Sequence, residues 1–189
     1  MKSRVYIVLL LCLCLFGCGH RFVPKPYGYY RVDLPEPDYQ TFSLPDYPYS
    51  FNYSTLAEVR PKTEPGEQFW LDIYYPRFDA RIHCSYKPVE RNLRELSADA
   101  QDFVFKHAAK ASAIPEQEWN NPDERVFGVF YELRGNTASP YQFYLTDSTS
   151  RFFRAAVYFN CSPNQDSLAP VISFLGNDVQ HLIESFQWQ

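Results

Sequence analysis

The stretch from Arg125 to Cys161, RVFGVFYELRGNTASPYQFYLTDSTSRFFRAAVYFNC, admits few folds. Phe127, Val129, Tyr131 and Leu133 alternate with Val126, Gly128, Phe130 and Glu132. Tyr141, Phe143 and Leu145 alternate with Gln142, Tyr144 and Thr146. Phe153, Ala155, Val157, Phe159 and Cys161 alternate with Phe152, Arg154, Ala156, Tyr158 and Asn160. A period of two puts each set on one face of a sheet. Gly135-Asn136 and Asp147-Ser148 supply turn chemistry between the runs. The stretch predicts a three-stranded antiparallel meander in the middle of a larger sheet.

The rest of the chain supplies partners for that meander. Ser50 to Ser54 reads as a short strand, and residues 58–67 (EVRPKTEPGE) as a polar loop. Residues 68–75 and 78–87 form a hairpin around Pro76-Arg77. Its inward face carries Phe78, Ala80, Ile82, Cys84 and Tyr86, with Arg81, His83 and Ser85 outward. Residues 92–113 switch to helical spacing, with Leu93, Leu96, Ala100, Phe103, Val104, His107, Ala108 and Ala111 on one stripe. Asn92 and Glu95 read as a capping box, and Ile114-Pro115 as the stop. A second amphipathic helix is predicted over residues 167–186, capped by Asp166 or Ser167, with Gly176 inside it at about 1 kcal/mol. The fold class is therefore α+β: an antiparallel sheet of about six strands, in the order βββαβββα, packed with two helices. A PsbP- or Mog1-like sandwich is the analogous arrangement.

The N-terminus predicts export. Lys2 and Arg4 precede an apolar run from Val5 to Phe16, too short for the roughly 20 residues of a membrane span and right for a signal-peptide core. Leu15-Phe16-Gly17-Cys18 resembles a bacterial lipobox, although Phe16 is bulkier than the pattern usually carries there. Residues 1–17 are thus read as a lipoprotein signal peptide and Cys18 as the acylated (palmitate-bearing) N-terminus of the mature chain. Several acyl chains, each contributing about 0.8 kcal/mol per buried CH₂, anchor a protein stably. Losing Lys2 and Arg4 makes the net charge of −4 more negative still, which leaves no basic footprint for nucleic acid. Residues 18–49 form a Pro/Tyr-rich segment, expected to wrap onto the domain or to dock on a partner through Tyr27, Tyr29 and Tyr30. Residues 50–189 form one α+β domain.

The chemistry-bearing residues propose no catalytic constellation. No nucleophile elbow, Walker loop or His-Glu-x-x-His helix is present, and His20, His83, His107 and His181 are scattered. His83 and Cys84 point to opposite faces of a strand and cannot share a metal. Neither a metal site nor a cofactor is expected. Cys84 and Cys161 fall on apolar strand faces; they pair in an oxidising envelope if their Cα atoms come within about 4.4–6.8 Å, and otherwise remain buried free thiols. The loop bearing Gly135, Asn136, Thr137 and Ser139 is a candidate partner contact, with plain turn chemistry as the other reading.

Many short motifs, in order, carry a resemblance. They are Pro24-Lys25-Pro26, Arg31-Val32-Asp33-Leu34-Pro35, Tyr75-Pro76-Arg77-Phe78, Ser85-Tyr86-Lys87-Pro88, Gly135-Asn136-Thr137-Ala138-Ser139, Leu145-Thr146-Asp147-Ser148, Tyr158-Phe159-Asn160 and Asp166-Ser167-Leu168. Together they resemble the gliding-motility lipoprotein family GldD of the Bacteroidetes over nearly the whole chain. The resemblance implies a non-enzymatic envelope lipoprotein that assembles or stabilises the gliding-motility and type IX secretion machinery, with other envelope proteins as partners. Gly19, His20, Arg21 and Phe22 lack the acidic patch common after the lipidated cysteine of surface-exported lipoproteins of this phylum. That departure implies a periplasm-facing protein, on the inner leaflet of the outer membrane rather than on the inner membrane. Asp147-Ser148-Thr149 and Asp166-Ser167-Leu168 also resemble the phylum's O-glycosylation motif, making Ser148 and Ser167 candidate acceptors. The alternative function is a periplasmic ligand-binding lipoprotein with an aromatic-lined pocket between sheet and helices.

Overall fold

The computed structural model describes residues 34–106, 108–161 and 164–189. In chain order the strands are β1 (Tyr39–Phe42), β2 (Tyr49–Ser54), β3 (Glu58–Pro61), β4 (Leu71–Tyr75) and β5 (Ala80–Pro88). Helix α1 (Leu93–Phe105) follows, then β6 (Ala111–Ala113), β7 (Glu116–Asn121), β8 (Val126–Glu132), β9 (Arg134–Gly135), β10 (Tyr141–Thr146) and β11 (Arg151–Phe159). Helix α2 (Gln165–Glu184) and β12 (Gln187–Trp188) close the chain. The main sheet has seven antiparallel strands in the order β3-β4-β5-β11-β10-β8-β7; β1-β2-β12 make a smaller sheet and β6-β9 a short ribbon.

The expected meander is the centre of the main sheet, as β8, β10 and β11. Its register pairs Phe143 with Phe130 on one side and with Ala155 on the other. Gly128 has a local reason: a Cβ there would lie 1.9 Å from the Tyr144 carbonyl oxygen. The hairpin around Pro76-Arg77 forms as β4 and β5, with a short 3₁₀ turn between them.

The two faces of the sheet are covered differently. One carries Leu71, Ile73, Ile82, Cys84, Phe143, Phe153 and Val157, and packs against α2 and β2 in the main core. Val171, Leu175, Val179, Leu182 and Ile183 supply the helix side of that core, and Tyr49, Phe51 and Phe186 close it. Ring centroids lie 4.9 Å apart for Tyr49–Phe153 and 5.1 Å for Phe153–Phe186. Truncating any one of these rings costs about 3–5 kcal/mol. The opposite face meets α1, where Leu96 and Ala100 pack on Phe152, and Val104 on Tyr131 and Leu133.

Four local expectations change. Residues 58–61 pair with β4 as an edge strand rather than looping. Helix α1 stops at Phe105, because Ala111 pairs with Gly135 and Ile114 packs on the Val104 cluster, so the chain must extend toward β7. Asn92 does not cap α1 by its side chain; its Oδ1 accepts the Glu90 N–H at 2.8 Å instead. Asn164, not Asp166 or Ser167, caps α2, accepting the Ser167 N–H at 3.2 Å. Upstream of residue 50, β1 pairs with β2 and Tyr49 is fully buried.

Candidate functional site

Where α1 crosses the sheet it leaves a cleft of about 240 Å³, lined by Trp70, Lys87, Asp99, Phe103, Phe152 and Arg154 among others. Helix α1 supplies Phe103 and Asp99; β5 supplies His83, Ser85 and Lys87; β11 supplies Phe152 and Arg154. The alternation that turns Phe153 and Ala155 toward the main core turns Phe152 and Arg154 into this cleft.

Arg154 is the most constrained group there. Its Nη2 donates to Gln142 Oε1 at 2.7 Å, and its guanidinium carbon lies 4.4 Å from the Phe103 ring centroid. Burial pulls its pKa below the ordinary arginine value, with Tyr158 pulling the other way. Gln142 is 1% exposed, and its Nε2 finds no acceptor among the described residues. No described carboxylate lies within ion-pair distance of Arg154 or Lys87. The Trp70 indole N–H donates to the Tyr86 carbonyl at 2.8 Å, which holds that ring as a wall.

Beside the cleft sits Asp72, 5% exposed on β4. It meets His83 Nδ1 at 2.6 Å, Lys62 Nζ at 3.2 Å and Arg81 Nη1 at 3.4 Å. One buried carboxylate thus faces two permanent cations and an imidazole, and the neighbourhood keeps an excess of donors over acceptors. Cys84 points to the other face, so His83 and Cys84 do not converge. Among the described residues no three His, Cys, Asp or Glu side chains are placed to hold a metal.

A second polar cluster lies in the main core. Asp178 on α2 accepts the Tyr39 and Tyr75 hydroxyls, each at 3.0 Å. Burial raises its pKa from the usual carboxylate value, against the pull of those hydroxyls and of His181. Tyr39 is pushed up to about 12 by burial and by the charge of Asp178, and its ring stacks on His181 with centroids 3.8 Å apart.

The residues singled out from sequence are dispersed. Cys18, Tyr27, Tyr29, Tyr30 and His107 lie outside the described residues. Cys84 and Cys161 do not pair: Cys84 faces Ala155 across the β5–β11 ladder, six residues short of Cys161, which is about 20 Å of strand. Cys84 is fully buried and Cys161 exposed. The loop after β9 turns two of its candidates inward. Thr137 Oγ1 donates to the Leu133 and Ser139 carbonyls and Ser139 Oγ to the Tyr141 carbonyl, so neither hydroxyl proton is offered to a partner. Gly135 and Asn136 lie nearer the surface, and Gly135, Thr137 and Cys161 share a hollow of about 30 Å³, room for one water. Ser148 and Ser167 are both exposed, at the β10–β11 turn and in the first turn of α2. Sequence reasoning missed Asp72 and Arg154, whose signal was a charge inside an otherwise apolar strand: Leu71-Asp72-Ile73 and Phe153-Arg154-Ala155.

The fold and its clefts define an α+β domain with one filled core face and one partly open face. Comparison with known proteins then gives the family. The model of the gliding motility lipoprotein GldD family matches residues 19–188, and the chain belongs to that family. It is a gliding-motility-associated lipoprotein of the cell envelope. Among solved structures it is similar to the solution structure of cyanobacterial PsbP (CyanoP) from Synechocystis. The TM-score is 0.48 at 9% identity, covering 87% of this chain and 99% of that one. No curated protein matches the chain.

Proposed function

We propose that this lipoprotein is a non-enzymatic, periplasm-facing assembly or stability component of the gliding-motility and type IX secretion machinery. The observation that carries the reading is the family match over residues 19–188, which begins at the residue after the lipobox cysteine. Cys18 holds the acyl chains on the inner leaflet of the outer membrane, and the segment that follows presents Tyr27, Tyr29 and Tyr30 to other envelope proteins. The test is co-purification of the full-length protein from its native membrane, compared with a version lacking residues 19–33. The deletion stops before Leu34 because Leu34 packs on the main core and β1 pairs with β2. Motility or secretion lipoproteins recovered with the intact chain and lost on deletion support the reading. Normal gliding and secretion in a strain without the protein would overturn it. Intact mass of the mature chain tests acylation of Cys18 and hexose on Ser148 or Ser167.

A second reading, ligand binding, is favoured by one observation. The cleft under α1 has three aromatic walls and converging polar groups, the composition of a small-molecule site.

A further inference from the structure

We propose that the cleft under α1 binds a small amphiphilic anion: one carboxylate or phosphate on a flat or unbranched apolar body, with the anionic group seated on Arg154. This inference rests on the ligand-binding reading and is independent of the assembly role.

Donor accounting carries it. A guanidinium offers five N–H donors and an ammonium three, with no acceptors. Of the Arg154 donors, Gln142 Oε1 takes one, and Tyr158 is the other polar partner. Gln142 is not part of the cleft lining, but it holds Arg154 from the sheet and its own Nε2 is buried without an acceptor. The Ser85 hydroxyl donates to the Arg154 carbonyl, and no hydrogen bond joins it to the guanidinium. Lys87 stands at the exposed rim of the same cleft with no carboxylate in ion-pair distance among the described residues, so it adds positive charge at the mouth. Arg154 is half-buried, and a charge drawn partly out of water is costly to the extent that it lacks pairing and hydrogen bonds. In this cleft the missing complement is an acceptor carrying negative charge.

The walls set the rest of the ligand. Trp70, Phe103 and Phe152 give apolar faces, and Phe103 is 45% exposed although two cations lie near its ring centroid, Arg154 at 4.4 Å and Lys106 at 4.5 Å. A volume of about 240 Å³ matches about eight waters and falls below the range of drug-sized sites, so the body is one ring or a short chain. Asp99, the carboxylate of the lining, is exposed and disfavours ligands with several negative charges.

The test is isothermal titration of the full-length protein in lipid nanodiscs with phenylbutyrate and its neutral isostere phenylbutanol, with empty discs subtracted. Phenylbutyrate is expected to bind about tenfold or more tighter than the alcohol. Arg154→Gln is expected to remove that preference, a loss of about 10- to 100-fold for the anion. Should Arg154→Gln not fold, Arg154→Lys reports instead, expected to retain the preference for the anion with weaker binding because the planar fork is gone. Phe103→Ala should weaken both ligands alike. Equal binding of acid and alcohol, or unchanged phenylbutyrate binding in a folded Arg154→Gln protein, would overturn the anion inference while leaving a ligand site. Binding of neither ligand overturns the inference and the ligand-binding reading together.

Discussion

Replacing Asp147 by Asn tests how the β10–β11 turn is held. Asp147 Oδ1 accepts three backbone N–H groups, from Thr149 at 2.9 Å, Ser150 at 2.7 Å and Arg151 at 2.9 Å. Its Oδ2 accepts the Ser150 hydroxyl at 2.8 Å. Burial pushes this carboxyl upward, but the backbone donors win and hold it well below the usual carboxylate range. Asparagine keeps a neutral Oδ1 in the same place and puts an N–H₂ donor where Oδ2 stood, so the Ser150 hydroxyl must turn to accept instead of donate. Hydrogen bonds to charged groups contribute about 1.5–3 kcal/mol and neutral ones about 0.5–1.5, so three bonds lose about 3 kcal/mol together. Relief from burying a charge returns about 1 kcal/mol, leaving a net cost of about 2 kcal/mol near neutral pH.

The sign with pH follows from the lowered folded-state value. A carboxylate whose pKa is depressed on folding contributes stability that is present above its unfolded value, about 3.9, and is lost as pH falls toward the folded one. Urea titrations followed by circular dichroism, on the form without its acyl anchor, should show the Asn variant unfolding at about 1 M less urea at neutral pH. The gap should hold to about pH 5 and narrow by pH 3. A gap under about 0.5 kcal/mol at neutral pH, or one that stays constant into acid, refutes the reasoning.

Three further outcomes follow from the same geometry. Gly128→Ala should cost about 3 kcal/mol, because the new Cβ meets a backbone oxygen that no rotamer change can move; a thermal midpoint lowered by less than about 3 °C would contradict the close approach. In a chain that begins after Cys18, so that Cys12, Cys14 and Cys18 are all absent, a maleimide should label one cysteine per native chain and two after unfolding, since Cys161 is exposed while Cys84 is fully buried with its thiol pKa pushed up. Asp178→Asn should give a pH slope opposite to that of Asp147→Asn: the raised carboxyl makes wild-type stability fall as pH rises through its folded value, so the deficit of the Asn variant shrinks on going from acid to neutral, as paired urea titrations would show.

The strands legible in the sequence are the interior ones. β5, β8, β10 and β11 are hydrophobic enough to alternate visibly, and their pairing follows from that pattern. β3 (EVRP) and β7 (EQEWNN) were illegible because they are the two edges of the main sheet. Edge strands carry charge and polar side chains that discourage pairing with other chains, and that same polarity makes them read as loops. The short β1, β6, β9 and β12 have four residues or fewer, too few for a period to show. The end of α1 was misplaced because alanines at 108 and 111 continue a helical stripe, while the pairing of Ala111 with Gly135 overrides propensity.

The cleft was illegible for a different reason, which is geometric. Seven strands at about 4.8 Å spacing make a sheet about 29 Å wide, and the 13 residues of α1 span about 20 Å. α2, with 20 residues, is joined by the β1-β2-β12 sheet in covering its face. α1 works alone, over β11, β10 and β8, so coverage ends before β3 and β4 are reached. Beyond that limit the face is charged and polar: Glu58, Arg60, Tyr74 and Arg81 surround the buried Asp72 carboxylate, linked by ion pairs and by Arg60 over the Tyr74 ring at 3.9 Å. Arg154 stands at the boundary, with an apolar helix on one side and a charged sheet on the other. An arginine in an apolar strand therefore marks where the helix stops covering the sheet, and that margin is where a site can open without cutting into the core.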